Sequence, residues 1–384
     1  MSVKANNKNT LTTESGKTVP ELCWHANLFL DRTTAIYGPS QTGKSFLVKT
    51  IMKTLQPLVD QIIVVSSTEP SNRSYEGYVD QPLIHYRLWL ADPKNPRKDD
   101  GPKGAVRFLE AIWKRQEMMA AIYTRANRLQ VLASLFSRLP RHERSKTMKA
   151  VSTINGKRVK VLNQVRRQYR DEPGRCEEKV KDVNEGFKKM LVLLYKKAIT
   201  PHFTALWERS DLSEDELYTL QYLHFNPRLL LILDDCAAQF KTLFNKEIFR
   251  SYFYQNRHSF ITLVGCFQDD TDLATNLRKN AFVSLFTEGV VCNSNFTRPT
   301  NKFPKSVQQF AAEAAAEIFK EKHRKFAFIR EDPNRQYIYH VTGFYSKPFR
   351  FGSTALHELC DRVRTEGVAM DKENPYYSKF KVDN

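Results

Sequence analysis

Hydrophobic residues along this chain gather into short runs separated by longer segments in which they recur every three or four positions. Thr33–Tyr37, Gln61–Ser66, Leu229–Leu233, Phe260–Cys266, Ala281–Phe286 and Lys325–Ile329 are the runs, each of strand length and apolar enough to be covered on both faces. Gln336–Val341 follows the turn Asp332-Pro333-Asn334 and predicts a closing hairpin with the run before it. Helical spacing is read at Gly43–Leu55, at roughly Ala237–Phe253 and at Ser306–Glu321. Alternation of such strands and helices implies a mostly parallel sheet with helices on both sides.

About 160 residues separate the second run from Leu229, too many for a loop without structure of its own. Residues 104–139 hold no internal proline and place Phe108, Ile112, Met119, Ile122, Leu129, Leu132 and Phe136 at helical spacing. Residues 184–198 repeat the pattern with Phe187, Met190, Leu191, Leu194 and Tyr195. Between them, 138–175 is poor in apolar residues and is expected to be loop or only partly ordered. The organisation expected is a flexible N-terminal arm (1–20), a core from 21–84 and 220–345, a basic helical insertion (85–219), and a C-terminal helix and tail (346–384).

Composition narrows the picture. With 384 residues, 41% of them hydrophobic, the chain can bury a core, which excludes global disorder. No run is long enough to span a membrane, and the first twenty residues lack the apolar region of a signal peptide. Six cysteines at 23, 176, 236, 266, 292 and 360 form no CxxC pair and point to a reducing compartment. The net charge of +18 is concentrated: 85–200 holds 28 basic and 12 acidic residues, and 125–170 holds 13 basic residues against Glu143 alone. Charge so localised marks a polyanion partner, with an acidic protein surface or a plain solvated face as the other readings.

Chemistry enters at Gly38-Pro39-Ser40-Gln41-Thr42-Gly43-Lys44-Ser45, a G-x-x-x-x-G-K-S loop between a strand and a helix. Its glycines let backbone N–H groups wrap a phosphate, and the following helix adds the positive end of its dipole. Lys44 is expected at the β- and γ-phosphates and Ser45 on Mg²⁺. Leu229–Asp235 is an apolar strand ending in two acids, Asp234 suited to the metal and Asp235 to the attacking water. Gln268 ends the next run, where it would orient water if its strand neighbours the acidic one. Arg257, in Gln255-Asn256-Arg257-His258, and Arg278 are the candidates to reach a neighbouring subunit's phosphates. No N-K-x-D or D-x-x-G motif favours GTP, so ATP with Mg²⁺ is the expected ligand. Arg138, Arg141, Arg144, Lys146, Lys149, Lys157, Arg158, Lys160, Arg166, Arg167 and Arg170 are the candidate contacts to DNA phosphates.

Together AIYGPSQTGKS, LLLILDDCAAQF, QNRHSFITLVGCFQ and NLRKNAFVSLF resemble the genome-packaging ATPases of nucleocytoplasmic large DNA viruses, in the FtsK–HerA group, over roughly 30–70 and 225–345. The resemblance implies an α/β, RecA-like P-loop ATPase core with a mostly parallel central sheet, to which this chain adds the long, mostly helical basic insertion. It implies an oligomeric, ring-forming motor that drives double-stranded DNA into a preformed capsid, with a capsid or portal component as a further partner. Such a protein would act in the host cytoplasm, at viral factories, or in the virion. By the same resemblance Lys44 and Ser45 hold phosphate and Mg²⁺, Asp234 the metal and Asp235 the water, while Gln268 is the sensor and Arg257 the finger. Two other readings stay open: a helicase-like or repair ATPase, with Phe136 and Tyr169 stacking bases, and a nucleotide-binding structural virion protein that organises DNA.

Overall fold

A computed structural model describes residues 5–86, 91–92, 95–99, 101–332, 335–344 and 347–365. In chain order the strands are β1 (Ala5–Thr12), β2 (Thr18–Leu22), β3 (Thr33–Tyr37), β4 (Gln61–Ser66), β5 (Ile84–His85), β6 (Ala91–Asp92), β7 (Asn95–Asp99), β8 (Leu229–Asp234), β9 (Ile261–Phe267), β10 (Val283–Phe286), β11 (Arg324–Asp332) and β12 (Arg335–Thr342). The helices are α1 (Lys44–Leu55), α2 (Glu69–Asn72), α3 (Gly101–Ala126), α4 (Leu129–Ser137), α5 (Arg141–Gln168), α6 (Pro173–Ile199), α7 (Phe203–Trp207), α8 (Glu214–Gln221), α9 (Ala237–Phe240), α10 (Glu247–Tyr254), α11 (Thr275–Arg278), α12 (Gly289–Thr297), α13 (Lys305–Ile318) and α14 (Thr354–Thr365). The chain divides into two compact units, residues 1–119 with 227–384, and residues 120–226.

The first unit is an α/β fold around a ten-stranded sheet in the order β1-β2-β12-β11-β10-β3-β9-β8-β4-β5. From β10 to β5 every neighbouring pair is parallel. Residues of β3, β4, β8, β9 and β10 are buried throughout, which explains why they read as continuous apolar runs without alternation. β9 lies between β3 and β8, so one strand separates the phosphate-loop strand from the acidic one. α1 packs Leu47, Val48, Ile51, Met52 and Leu55 on the sheet, one face of a helix at 3.6 residues per turn. At the C-terminal edge, Tyr37 pairs across to Phe267 and Phe286, and the rings stack with centroids 5.5 and 5.2 Å apart. These three aromatics, fixed by register, form a rigid floor below the loop that follows Tyr37.

Several expectations change. Residues 5–20, read as part of a flexible arm, contribute β1 and most of β2, which pair antiparallel. Val19 and Leu22 of β2 are buried in the core, an anchor too sparse to register as a periodic signal. The helix expected over Ala237–Phe253 breaks into α9 and α10. β11 and β12 form the antiparallel closing hairpin; Pro333 and Asn334 of its expected turn, like residues 366–384 of the expected tail, lie outside the described residues. The helical pattern at 104–139 is interrupted at Asn127-Arg128, between α3 and α4.

In the second unit, Leu132, Leu135, Phe136, Leu139, Ile199, Leu206, Leu220 and Leu223 build a small core. Phe136 stacks on Tyr195 at 4.7 Å. The stretch 138–175, expected to be loop or only partly ordered, is instead α5 and the start of α6, and the helix expected at 184–198 lies within α6; the two helices, of 28 and 27 residues, pack against each other. α5 is rich in Lys and Arg, good helix formers, and only Leu162 of it is buried. Its stability comes from propensity and a partner helix, which explains the faint hydrophobic signal. Among the described residues, no helix is long and apolar enough to cross a membrane.

Candidate nucleotide site

The loop Gly38–Ser45 leaves the sheet at Tyr37 and delivers Lys44 as the first residue of α1. Gly38 (φ 148°), Gln41 (φ 65°) and Gly43 (φ 99°) have positive φ. Gly38 is irreplaceable on steric grounds as well, since a Cβ there would lie 1.9 Å from Thr287 Oγ1. That close approach belongs to a small lattice. Thr287 Oγ1 donates to Tyr37 O at 3.1 Å, Thr42 Oγ1 donates to Pro39 O at 2.7 Å, and the two hydroxyls are 2.6 Å apart. Gly38 N donates to Phe267 O at 3.1 Å. The loop is therefore clamped from strands on either side of β3. Lys44 Nζ donates to Gly38 O at 2.5 Å and Pro39 O at 2.8 Å, so its ammonium is held within the curve of its own loop.

Asp234 ends β8 on the same edge, opposite Cys266 of β9 and Ser66 of β4. It is 6% exposed. Burial raises its pKa, and hydrogen bonds from the Tyr75 hydroxyl and the Cys266 thiol, with the Lys44 charge, act against the rise. Tyr75 Oη donates to Asp234 Oδ2 at 2.9 Å. Tyr75 is itself held by Glu69, whose Oε1 accepts from Tyr75 N at 2.9 Å. Asp235 takes a left-handed backbone (φ 54°), steadied by a 2.8 Å bond from Ser67 Oγ to its carbonyl. Its carboxylate meets the end of β9, where Gln268 Nε2 donates to Asp235 Oδ1 at 3.3 Å. Gln268 and Asp235 are thus in direct contact, across the strand pair β8 and β9. The oxygen set of the Ser45 hydroxyl and the Asp234 carboxylate suits Mg²⁺, which takes one or two protein carboxylates and completes its shell with phosphates and water.

The two arginines differ sharply. Arg278 is buried and pairs with the fully buried Asp270, Nη1 lying 2.5 Å from Oδ2; its Nη2 donates to Thr275 Oγ1 at 2.8 Å. Such an arginine holds the fold and is not free to enter another subunit. Arg257 is exposed; its Nε bonds His258 Nε2 at 3.3 Å. It precedes β9, whereas the loop lies beyond that strand's far end, about 20 Å away at 3.3 Å per residue. Arg257 therefore cannot serve the site of its own chain. It lines an open groove of about 1160 Å³ with Arg32, Lys279, Lys302 and Arg330.

In the second unit the eleven candidate cations separate into classes. Arg138 is spent internally, with Nε 2.9 Å from Glu216 Oε1 and Nη1 2.8 Å from Asp211 Oδ2. Arg158 bonds Asn184 and Asn155 and lies over the Phe187 ring, and Arg144 is half-buried. Arg141, Arg166 and Arg170 are exposed. Lys146, Lys149, Lys157, Lys160 and Arg167 are exposed and recur along α5 at three- and four-residue helical steps, with Thr153 and Gln164 at the gaps. That stripe runs for about 30 Å at 1.5 Å per residue. It carries no acid.

Comparison with known proteins gives a clear relationship. Over 373 residues the chain is 47% identical to the Uncharacterized protein B354L of African swine fever virus (isolate Tick/Malawi/Lil 20-1/1983), covering 97% of this chain and 99% of that one. The chain belongs to the B354L family. The B354L protein of the isolate Pretoriuskop Pr4/1996 is also 47% identical, over 372 residues. No family model matches the chain. Among solved structures, the genome packaging NTPase B204 of Sulfolobus turreted icosahedral virus 2 aligns with 80% of this chain and 96% of its own, at 12% identity and a TM-score of 0.30. The plasmid coupling protein TrwB aligns with 91% and 93%, at 13% and 0.34. At such scores these likenesses do not bear on what a B354L protein does.

Lys44, Ser45, Asp234, Asp235 and Gln268, the candidates read from the sequence, stand at one sheet edge. Tyr75, Cys266 and Thr287 are not among them. Tyr75 lies in a polar loop with no pattern of its own, and Cys266 and Thr287 become neighbours of the site only through the strand order.

Proposed function

We propose that this B354L-family chain is an ATP-hydrolysing motor that translocates double-stranded viral DNA into a capsid during genome packaging. One observation carries the reading. The G-x-x-x-x-G-K-S loop, the buried Asp234 and the Asp235–Gln268 pair share the C-terminal edge of a parallel sheet, with β9 inserted between their strands. Ligands of open α/β sheets bind at that edge.

In this reading the loop N–H groups and Lys44 bind the β- and γ-phosphates. Ser45 and Asp234 would hold Mg²⁺, which would supply charge neutralisation at the phosphates. Asp235 accepts a proton from the attacking water, and the Gln268 amide fixes that carboxylate and senses the γ-phosphate. Arg257 of an adjacent copy supplies positive charge from outside, which makes turnover depend on a homo-oligomeric ring. The α5 stripe follows the DNA backbone without reading sequence. The protein would act in the host cytoplasm or the virion, with a capsid or portal component as partner.

The test is steady-state ATP hydrolysis by wild type and Lys44→Ala, with and without long duplex DNA, across a salt series. The reading expects DNA-stimulated turnover that weakens with salt and is lost in Lys44→Ala. ATP binding with no DNA-dependent turnover, at concentrations that favour oligomers, would favour the structural virion protein instead.

A further inference from the structure

Lys325, the second residue of β11, lies beside the loop although no motif marks it. Its neighbour Phe326 pairs with Phe286, which places Lys325 level with Thr287, the residue that clamps Gly38. Its Cε is 3.7 Å from the position a Cβ on Gly43 would occupy, so the lysine stem rests against the residue directly before Lys44. The residue is 9% exposed. Its ammonium donates to Lys322 O at 2.9 Å and, more weakly, to Thr287 O at 3.4 Å.

No carboxylate pairs with it among the described residues. The buried Arg278 of the same unit, by contrast, pairs with Asp270. Leaving an ammonium inside a fold with carbonyl partners alone is costly, and burial with the nearby Lys322 charge lowers its pKa. Two carbonyl bonds also leave one of its three N–H donors unused. What these features lack is an anion on the loop side.

We infer that Lys325 is a second phosphate-contacting cation of the nucleotide site, reaching the α- or β-phosphate from β11 while Lys44 serves the β- and γ-phosphates. The inference rests on the reading of Gly38–Ser45 as a nucleotide site. In the nucleotide-bound protein the phosphate supplies the missing counter-charge, which favours di- and triphosphates over uncharged ligands.

Isothermal titration of the full chain with MgATP and MgADP tests this, using wild type, Lys44→Ala, Lys325→Met and Lys325→Gln, each with its nucleotide-free thermal midpoint. The expected result is at least tenfold weaker binding of both nucleotides by both Lys325 variants. Their nucleotide-free midpoints should be unchanged or raised, because an uncompensated buried charge has been removed. Binding within threefold of wild type in either folded variant overturns the inference, as does a loss of affinity matched by a loss of nucleotide-free stability. Failure of the underlying reading looks different: wild type would then bind neither nucleotide, and Lys44→Ala would change nothing.

Discussion

Arg278 and Arg257 both looked able to reach a neighbouring subunit, and their surroundings predict opposite phenotypes. Arg278 is 5% exposed and Asp270 wholly buried. Besides the 2.5 Å ion pair, Arg278 Nη1 donates to Asp270 O at 2.6 Å. Removing one partner of such a pair costs about 3–5 kcal/mol when the other charge is left alone. Here Arg298 still reaches Asp270, at 2.9 Å through Nε and 2.7 Å through Nη2, so about 2–4 kcal/mol is the expected cost of Arg278→Ala. At roughly 2 °C per kcal/mol for a unit of this size, the thermal midpoint falls by about 4–8 °C. Arg257→Ala removes an exposed side chain and should move the midpoint by less than about 2 °C. It should instead reduce ATP turnover by about a thousandfold or more under assembling conditions, the range of an arginine supplied in trans. Thermal denaturation and ATPase rates on the two variants, measured side by side, decide the matter. Arg278→Ala with an unchanged midpoint and no turnover would refute the assignment, and so would full activity in Arg257→Ala.

Gly38→Ala should abolish nucleotide binding, measured by titration calorimetry, because its Cβ would enter Thr287 Oγ1 at 1.9 Å and its φ is 148°; trimming Thr287 to Ser should not rescue it, since the hydroxyl and the backbone strain remain. The second unit should lose stability in acid through Glu216. Burial pushes this carboxyl up, but bonds from Arg138, Ser213 N and Ser134 prevail and hold it down at about 2, below its ordinary 4.5. A depressed carboxyl stabilises fully above its unfolded value, so that contribution is present above about pH 4.5 and is lost as the pH falls toward 2. Hydrogen exchange in α4 and α8 should report falling protection across that window, and constant protection would contradict it. Replacing Lys146, Lys149, Lys157, Lys160 and Arg167 by Gln should reduce the slope of log affinity for duplex DNA against log salt by about 4–5, at 0.9 per phosphate contact. An unchanged slope would place the DNA elsewhere.

What was legible in the sequence is what local chemistry dictates. Gly38, Gly43 and Lys44 stand between an apolar strand and an amphipathic helix because a phosphate loop needs that succession. Leu229–Asp235 announces itself because a strand buried on both faces admits acids only at its end. The parts that stayed hidden depend on distant segments. Nothing near Tyr75 says that it will meet Asp234, 159 positions away, and Lys325 reaches the loop only because β11 follows β10 in the sheet. Arg138 looked like its basic neighbours until Asp211 and Glu216, far along the chain, closed on it. α5 was read as loop because its helix is held by propensity and by α6, not by an apolar stripe.

The central claim is that ATP drives this chain along duplex DNA, and displacement of a third strand from a triplex embedded in a long duplex tests it most directly. The account predicts ATP-dependent displacement by wild type and none by Lys44→Ala. Displacement that is absent while wild type hydrolyses ATP on the same DNA would contradict it.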